Sequence, residues 1–171
     1  MENKPVIRKM FHAQEKREKK LFEPIKCIKD DAWLGEGWYF WHDILDADKW
    51  GSDFKNKRKF YEIYSADIDC SRVLDTVFNE VSYNFWIRQI EKIALKFIKE
   101  TNEKPTKKEL HNYFKEKGVW DSFDGILFQD VPKNNDLVNV KEFFYRKRIQ
   151  LVVYNKKIIS NFAFESEQKC A

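Results

Sequence analysis

The chain has 171 residues, of which 43% are hydrophobic and 16% aromatic, so it is long and apolar enough to bury one substantial core and is not a disordered chain. We expect a single domain over residues 1–171. Its 32 Lys and Arg against 28 Asp and Glu give a net charge of +4, which permits a nucleic-acid partner without requiring one. The sequence has no apolar run of about 18 residues, which argues against a membrane-spanning helix.

The three cysteines, Cys27, Cys70 and Cys170, are widely spaced and form no CxxC pair. This argues against a disulfide scaffold and a zinc site. The N-terminus lacks the apolar segment of a secretory signal, so we expect a cytoplasmic protein. His42 and His111 match no metal-ligand spacing, and no metal site is expected.

The first part of the chain predicts two strands. Residues 6–13 form the first, and the highly charged residues 14–22 are compatible with a short helix that ends before Pro24. Residues 33–41 form the second strand, which contains two glycines and four consecutive aromatic residues.

A helix and a third strand are predicted next. Asp43 is placed to cap a short helix that runs through Trp50 and is closed by Gly51. The basic run over residues 55–59 is expected to be a solvated loop. Residues 60–70 alternate as a strand.

The middle of the chain is predicted to be helical. Residues 71–100 carry an apolar face near a period of 3.6, with a break around residues 79–83 that allows two helices. Thr106 then caps a helix over residues 107–117, with Glu109 at the capping-box position, and Gly118 ends it.

The last part of the chain predicts three more strands. Residues 119–131 form one, with a bend at Gly125, and a polar loop over residues 132–142 follows. Residues 143–154 form the next strand, and after a turn residues 158–164 form the last. Because helices and strands do not alternate regularly, the order favours an α+β domain over a doubly wound sheet.

The segment from Trp33 to Trp41 allows two interpretations. Gly35 and Gly37 permit unusual backbone conformations or the close approach of a ligand, and the rings after them offer a stacking surface for a planar ligand. Alternatively, the rings belong to a core strand and the glycines mark a bulge or turn.

Three segments in order carry a resemblance to a known family. They are a strand ending in Phe11-His12, a Gly-x-Gly-x-Tyr-Phe strand followed by Ala47 and Trp50, and a late strand with Gln150. This pattern resembles the ADP-ribosyltransferases, in the His–Tyr–Glu branch of the poly(ADP-ribose) polymerases and diphtheria-type toxins. It is similar to a bacterial set of such proteins with Trp-Leu-Gly-x-Gly-x-Tyr-Phe, Asp-x-x-x-Gly and Ile-Gln-x-x-Val segments, here residues 33–40, 121–125 and 149–153.

The resemblance covers about residues 8–162 and implies both a fold and a reaction. The fold is α+β, with two small packed antiparallel β-sheets that form a cleft and helices that flank it. In the family NAD lies in that cleft, nicotinamide leaves, and an acceptor attacks the ribose through an oxocarbenium-like transition state.

The resemblance also implies roles for individual residues. His12 matches the histidine that hydrogen-bonds the adenosine ribose. Ala13 stands where the family prefers the glycine whose backbone binds the nicotinamide amide. Tyr39 matches the tyrosine that stacks on the nicotinamide ring, and strand alternation places Trp41 on the same face. From the residues alone, His12 is equally readable as a strand histidine bonded to a backbone carbonyl, and Tyr39 as a core aromatic.

Gln150 falls where many members carry the catalytic glutamate. Glutamine can hold a ribose hydroxyl but brings no negative charge, and this loss is expected to cost several kcal/mol of transition-state stabilisation. A carboxylate from elsewhere is an alternative, and the sequence does not choose among Glu36, Asp121, Asp124 and Glu142. Without such a role, Gln150 is simply a polar residue on one face of a strand.

Three arginines, Arg8, Arg146 and Arg148, are predicted on or beside the cleft strands. They can either meet the pyrophosphate of NAD or remain solvated at the surface. Gly35, Gly37, Trp41 and Arg8 complete the candidate cofactor-binding set.

Three functions remain open from the sequence. The first is an NAD-dependent mono-ADP-ribosyltransferase that modifies a protein or nucleic acid, as a toxin with an antitoxin partner or a phage-defence effector. The second is an inactive module of the same fold that binds NAD, ADP-ribose or nucleic acid. The third is an unrelated basic, aromatic-rich nucleic-acid-binding domain.

Overall fold

A computed structural model describes residues 5–29, 32, 34–53, 59–130 and 147–170. Among them are seven strands: β1 (Ile7–Glu15), β2 (Trp38–Trp41), β3 (Phe60–Asp69), β4 (Val73–Asp75), β5 (Gly125–Asp130), β6 (Arg148–Val153) and β7 (Ile159–Lys169). The three α-helices are α1 (Ile44–Ser52), α2 (Glu80–Thr101) and α3 (Lys107–Glu116). Short 3₁₀ helices cover Val119–Ser122 and Lys156–Ile158.

The described strands form one seven-stranded sheet in the order β4-β5-β6-β2-β1-β3-β7. Neighbouring strands are antiparallel, except that β4 and β5 are parallel. The predicted α+β class is therefore confirmed. The arrangement differs from the expected pair of antiparallel sheets, because the described strands belong to a single mixed sheet.

The sheet has two buried faces. On the first, which we call the helix face, α1 packs against β1, β2 and β3, while α2, α3 and the first 3₁₀ helix cover β5 and β6. On the second, which we call the far face, side chains from both halves of the sheet meet in one cluster that includes Met10, Phe40, Ile68 and Leu151. Val73 of β4 and Ile159 of β7 both pack against that cluster, so the sheet curls until its two edges share a core.

Several predicted elements are confirmed. Strands lie where residues 6–13, 33–41, 60–70, 143–154 and 158–164 suggested them, although β2 is shorter and β7 longer than expected. The Asp43 carboxylate accepts a hydrogen bond from Leu45 N at the start of α1. Thr106 and Glu109 form the predicted capping box of α3.

Other predicted elements are wrong. Residues 14–22 form no helix, because the segment has no apolar stripe to bury and β1 instead continues to Glu15. Residues 73–75 of the predicted helical region form β4, and a single α2 starts after Asn79, whose side chain caps it. Residues 119–122 form a 3₁₀ turn before β5 rather than the start of the strand.

Gly51 lies inside α1 instead of ending it. A Cβ at this position would lie 2.2 Å from Tyr61 Cδ2, so the glycine allows α1 to approach β3. The predicted loop over residues 132–142, most of the basic run at residues 55–59, Trp33 and residues 143–146 lie outside the described residues. None of the helices among the described residues is long and apolar enough to cross a membrane.

Candidate functional site

His12 lies on β1 with its side chain on the far face, next to Phe40 and Phe162. Its Nδ1 is 2.9 Å from the carbonyl oxygen of Tyr39. Because a carbonyl only accepts, Nδ1 must carry a proton, and in the neutral ring Nε2 then presents a lone pair. Nε2 is buried and has no hydrogen-bond partner among the described residues.

Burial lowers the pKa of His12 from its ordinary value, and the Tyr39 carbonyl and the nearby Gln14 side chain only partly oppose this shift. The imidazole is therefore neutral at pH 7. A neutral ring in this tautomer can accept a hydrogen bond at Nε2 from a hydroxyl group, which is the chemistry that a ribose offers.

The glycine turn before β2 is fixed by side chains from distant parts of the chain. Gly35 has a φ of 77°, in the left-handed region that favours glycine. The Tyr39 hydroxyl donates to Gly35 O at 2.8 Å, and the Tyr154 hydroxyl donates to Leu34 O at 3.1 Å. A Cβ at Gly35 would lie 2.0 Å from Nε2 of His111, so this imidazole of α3 lies directly against the turn.

Gly37 serves a close approach between strands, since a Cβ there would lie 2.7 Å from Val153 O of β6. The turn therefore sets the position of β2 against β6. Burial raises the pKa of Tyr39, so its hydroxyl stays protonated and continues to donate to Gly35. The Tyr39 ring is held by this bond and by apolar neighbours of the helix-face core.

Trp41 and Gln150 are directly opposite each other on β2 and β6, and Phe11 of β1 is opposite Trp41 on its other side. The three side chains form one row on the helix face. Trp41 is 2% exposed and Gln150 6% exposed. The Trp50 ring of α1 lies 5.7 Å from the Trp41 ring and is 40% exposed, so this row ends at a partly open aromatic surface.

The sheet thus brings the predicted site residues together on three adjacent strands but divides their side chains between two faces. Tyr39, Trp41 and Gln150 lie on the helix face, as strand alternation predicts for the first two. Ala13 also lies there, packed with Ala47 and Ile63 under α1. The His12 side chain lies on the opposite face.

A seam between β1 and β2 separates the two halves of the sheet. These strands share one registered pair, Phe11 and Trp41, whereas β1 and β3 pair over nine positions from Ile7 to Glu15. Beyond that pair, the His12 side chain reaches across and donates to the Tyr39 carbonyl. The seam is therefore where the backbone ladder ends and where His12, Ala13 and Tyr39 meet.

The arginines occupy two different places. Arg8 is four residues before His12 on the far face, bonded to Asp75 at 3.2 Å and placed over the Phe78 ring. Arg148 lies two residues before Gln150 on the helix face, 7% exposed, with its Cζ 4.9 Å from the Trp41 ring centroid.

Asp130 bonds Nη2 of Arg148 at 3.2 Å, and Nε of the same guanidinium is buried without a hydrogen-bond partner. A guanidinium that is paired with a carboxylate therefore lies near Gln150. Arg146 lies outside the described residues.

The three alternative carboxylates that the structure describes do not lie beside Gln150. Glu36 is paired with Lys26 at the surface. Asp121 lies in the 3₁₀ turn after Gly118. Asp124, immediately before β5, accepts a hydrogen bond from Asn155 at 2.9 Å and lies four positions before Phe128, the partner of Gln150. Glu142 lies outside the described residues.

Sequence reasoning missed the residues that support the glycine turn. His111 was expected to be incidental, yet it is 6% exposed, stacks on Trp120 and contacts Gly35. Burial lowers its pKa to about 4, so the ring is neutral. Tyr154 follows β6 and reaches back to Leu34 over 120 positions. The sequence of α3 is mostly charged around His111, and its periodicity does not distinguish a buried histidine from a surface one. No sequence signal therefore pointed to His111.

Among the residues that the structure describes, no group of three or more His, Cys, Asp or Glu side chains is arranged to hold a metal ion. Comparison with models of known protein families, with curated proteins and with solved structures found no match.

Proposed function

We propose that this protein is an NAD-dependent mono-ADP-ribosyltransferase that modifies a macromolecule in the cytoplasm. On this proposal it acts as a toxin or phage-defence effector, and a small antitoxin protein is a natural partner. The observation that carries the proposal is the seam, where a neutral histidine with an unused Nε2 bridges two half-sheets beside a tyrosine and a glycine turn.

The residues at the seam fit a dinucleotide. Nε2 of His12 is an orphaned acceptor that suits a ribose hydroxyl. The limited pairing of β1 and β2 leaves room for the strands to part without the loss of a long ladder. Since Nε2 is buried and the His12 side chain lies on the face opposite Tyr39 and Gln150, one dinucleotide can reach all three residues only if β1 and β2 part at the seam. NAD, when bound, supplies an ADP-ribose whose bond to nicotinamide breaks with positive charge on the ribose carbon.

His12, Tyr39 and Gln150 each have a role on this proposal. His12 orients the ribose, and its own orientation is fixed by the Tyr39 carbonyl. The Tyr39 ring, held by its bond to Gly35, provides a stacking surface for a planar ring. The Gln150 amide can hold a hydroxyl group. It supplies no negative charge, so the reaction is expected to be slower than with a carboxylate at this position.

A second candidate is a module of the same fold that binds NAD or ADP-ribose without turnover. The observation that favours it is the absence of a negative charge at Gln150. The amide is neutral, and the nearby Asp130 carboxylate is paired with the Arg148 guanidinium, so this pair brings no net negative charge to stabilise the positive charge that the transferred ribose develops. The two candidates share a binding site and differ in nicotinamide release.

Labelled NAD separates these functions. The full chain is incubated with NAD and a cell lysate, and nicotinamide release and label transfer are measured. We expect transfer by the wild type, loss of at least ten-fold in His12→Ala and Tyr39→Ala, and little change in Gln129→Ala, an exposed β5 position that serves as the control. Gln150→Glu is expected to release nicotinamide faster.

The outcomes divide the candidates clearly. Binding of NAD, seen as a rise in melting temperature, without nicotinamide release from the wild type supports the inactive module. Neither binding nor release, or release unaffected by both the His12 and Tyr39 substitutions, contradicts both candidates.

A further inference from the structure

An open groove of about 1120 Å³ lies beside the N-terminal end of β2. Residues 17–26, which follow β1 in the chain before the glycine turn, form most of its wall, and Trp38 and Lys156 complete it. We call it the basic groove. Trp38 is the neighbour of Tyr39, so the groove and the proposed NAD site share strand β2 while using different residues.

Positive charge predominates along the basic groove. It is lined by five cationic side chains and two carboxylates: Arg17, Lys19, Lys20, Lys26 and Lys156 against Glu18 and Glu23. Arg17 and Lys19 make no ion pair within the described part of the chain. Lys26 and Lys156 pair with the exposed carboxylates of Glu36 and Glu23. Such exposed pairs are weak, so a phosphate can replace the carboxylate at little cost.

Lys20 is different, because it is bound by the fully buried Glu62 and by Glu167. Leu21 N also donates to the Tyr64 hydroxyl at 3.0 Å. These contacts fasten the middle of the segment to β3 and β7. The backbone of the segment is therefore positioned at Lys20 and Leu21 before any ligand arrives.

Two aromatic rings accompany these charges. Phe22 is 93% exposed, the most exposed of the large hydrophobic side chains among the described residues. Trp38 is half-buried, with Lys26 Nζ 5.8 Å from its ring centroid. An apolar ring so fully exposed beside cations lacks a role in the core and suits a planar partner.

We propose that the basic groove binds single-stranded nucleic acid, with phosphates on Arg17, Lys19 and the two exchangeable lysines, and with bases stacked on Phe22 and Trp38. Stacking on side-chain rings requires unpaired bases, which favours a single strand over a duplex. The bound nucleic acid would be the acceptor of the ADP-ribose, and only this assignment rests on the proposed function.

Fluorescence anisotropy tests the binding directly. The full chain is titrated into a labelled 12-nucleotide DNA strand in the absence of NAD. We expect binding that weakens about fifty-fold between 50 and 200 mM salt if four phosphates are contacted, one by each of these cations. We expect weaker binding of the matching duplex.

Matched variants locate the site. Phe22→Ala is expected to reduce the affinity about ten-fold. Ile28→Ala removes an apolar side chain that is 70% exposed outside the groove lining and should have little effect. Arg17→Glu with Lys19→Glu should abolish binding, whereas Lys92→Glu with Lys99→Glu on the exposed side of α2 changes the net charge equally and should retain most of it.

Three results would overturn the inference. They are no binding at 50 mM salt, equal losses in the groove and α2 charge variants, and displacement of the strand by NAD, which would make the groove part of the dinucleotide site. Nicotinamide release measured on the same proteins keeps the two proposals apart. Release without strand binding leaves the proposed function standing, and strand binding without release leaves the groove standing.

Discussion

A single imidazole connects the two halves of the sheet at the scale of one residue. His12 uses one nitrogen to complete the hydrogen bonding of the Tyr39 carbonyl and keeps the other buried and unused. Leaving a buried acceptor without a partner costs free energy, on the order of 1–3 kcal/mol. A ligand hydroxyl that satisfies Nε2 would recover part of that cost, which makes this atom a strong candidate contact.

Gly35 gives a prediction at the same scale. Gly35→Ala is expected to destabilise the protein by about 2–4 kcal/mol, because the backbone has a positive φ and the new Cβ meets the His111 ring. Gly118→Ala is the control, since its φ is also positive but its Cβ would meet only Asp121 Oδ2, at 3.0 Å. It should cost about 1 kcal/mol. Urea unfolding measures both, and equal losses would contradict the role of His111.

These residue contacts mark the limit of sequence reasoning. The shared face of Tyr39 and Trp41 and the capping box at Thr106 depend on local spacing, and the sequence predicts them. The support of the turn by His111 and Tyr154 depends on which distant segments meet, and no local pattern encodes it. For the same reason the sequence placed His12 and Tyr39 in one site without revealing that their side chains lie on opposite faces.

At the scale of elements, α1 shows how packing can reverse a local propensity. Gly51 reads as a helix stop, but it lies one residue before the end of α1, where the ring of Tyr61 leaves no space for a Cβ. The charged residues 14–22 fail as a helix for the opposite reason, since they have side chains suited to one but no apolar stripe. The three-residue β4 is too short for its alternation to be recognised, and it exists because β5 offers it a parallel edge.

The Gly51 contact predicts an unusual sign. Gly→Ala within a helix ordinarily stabilises by up to about 1 kcal/mol, but Gly51→Ala should destabilise by about 1–3 kcal/mol through overpacking against Tyr61. In a Tyr61→Leu background, the same substitution should cost at least about 1 kcal/mol less. Thermal or urea unfolding of the four proteins completes the cycle. Stabilisation by Gly51→Ala alone would show that the helix shifts freely away from β3.

At the scale of the whole molecule, one curled sheet has a buried histidine on each face. His12 lies in the far-face surroundings of Phe40 and Phe162, and His111 lies among the aromatic rings of the helix-face core. Burial lowers the pKa of both, for His111 from 6.5 to about 4. The folded protein therefore holds both rings neutral where the unfolded chain begins to protonate them.

The sign of the pH dependence follows. Below about pH 6.5 the unfolded chain binds protons at these two positions that the folded chain does not. Above about pH 6.5 both rings are neutral in the folded and the unfolded chain, so they do not make stability depend on pH. Below it, the free energy of unfolding falls as the pH decreases toward the folded-state pKa values. Urea unfolding at pH 7 and pH 5 should show lower stability at pH 5, with a smaller decrease in His111→Gln. Equal stability of the wild type at both values would contradict this linkage.

The position of α1 adds a consequence to the limited pairing of β1 and β2. This helix contacts β1, β2 and β3, so it packs across the seam and connects the two halves of the sheet. If a ligand widens the seam, we expect α1 to move with it and the indole of Trp50 on α1 to shift relative to that of Trp41, now 5.7 Å away. Opening of the seam is therefore expected to change the contribution of these two indoles to the tryptophan fluorescence of the chain, which contains six tryptophans.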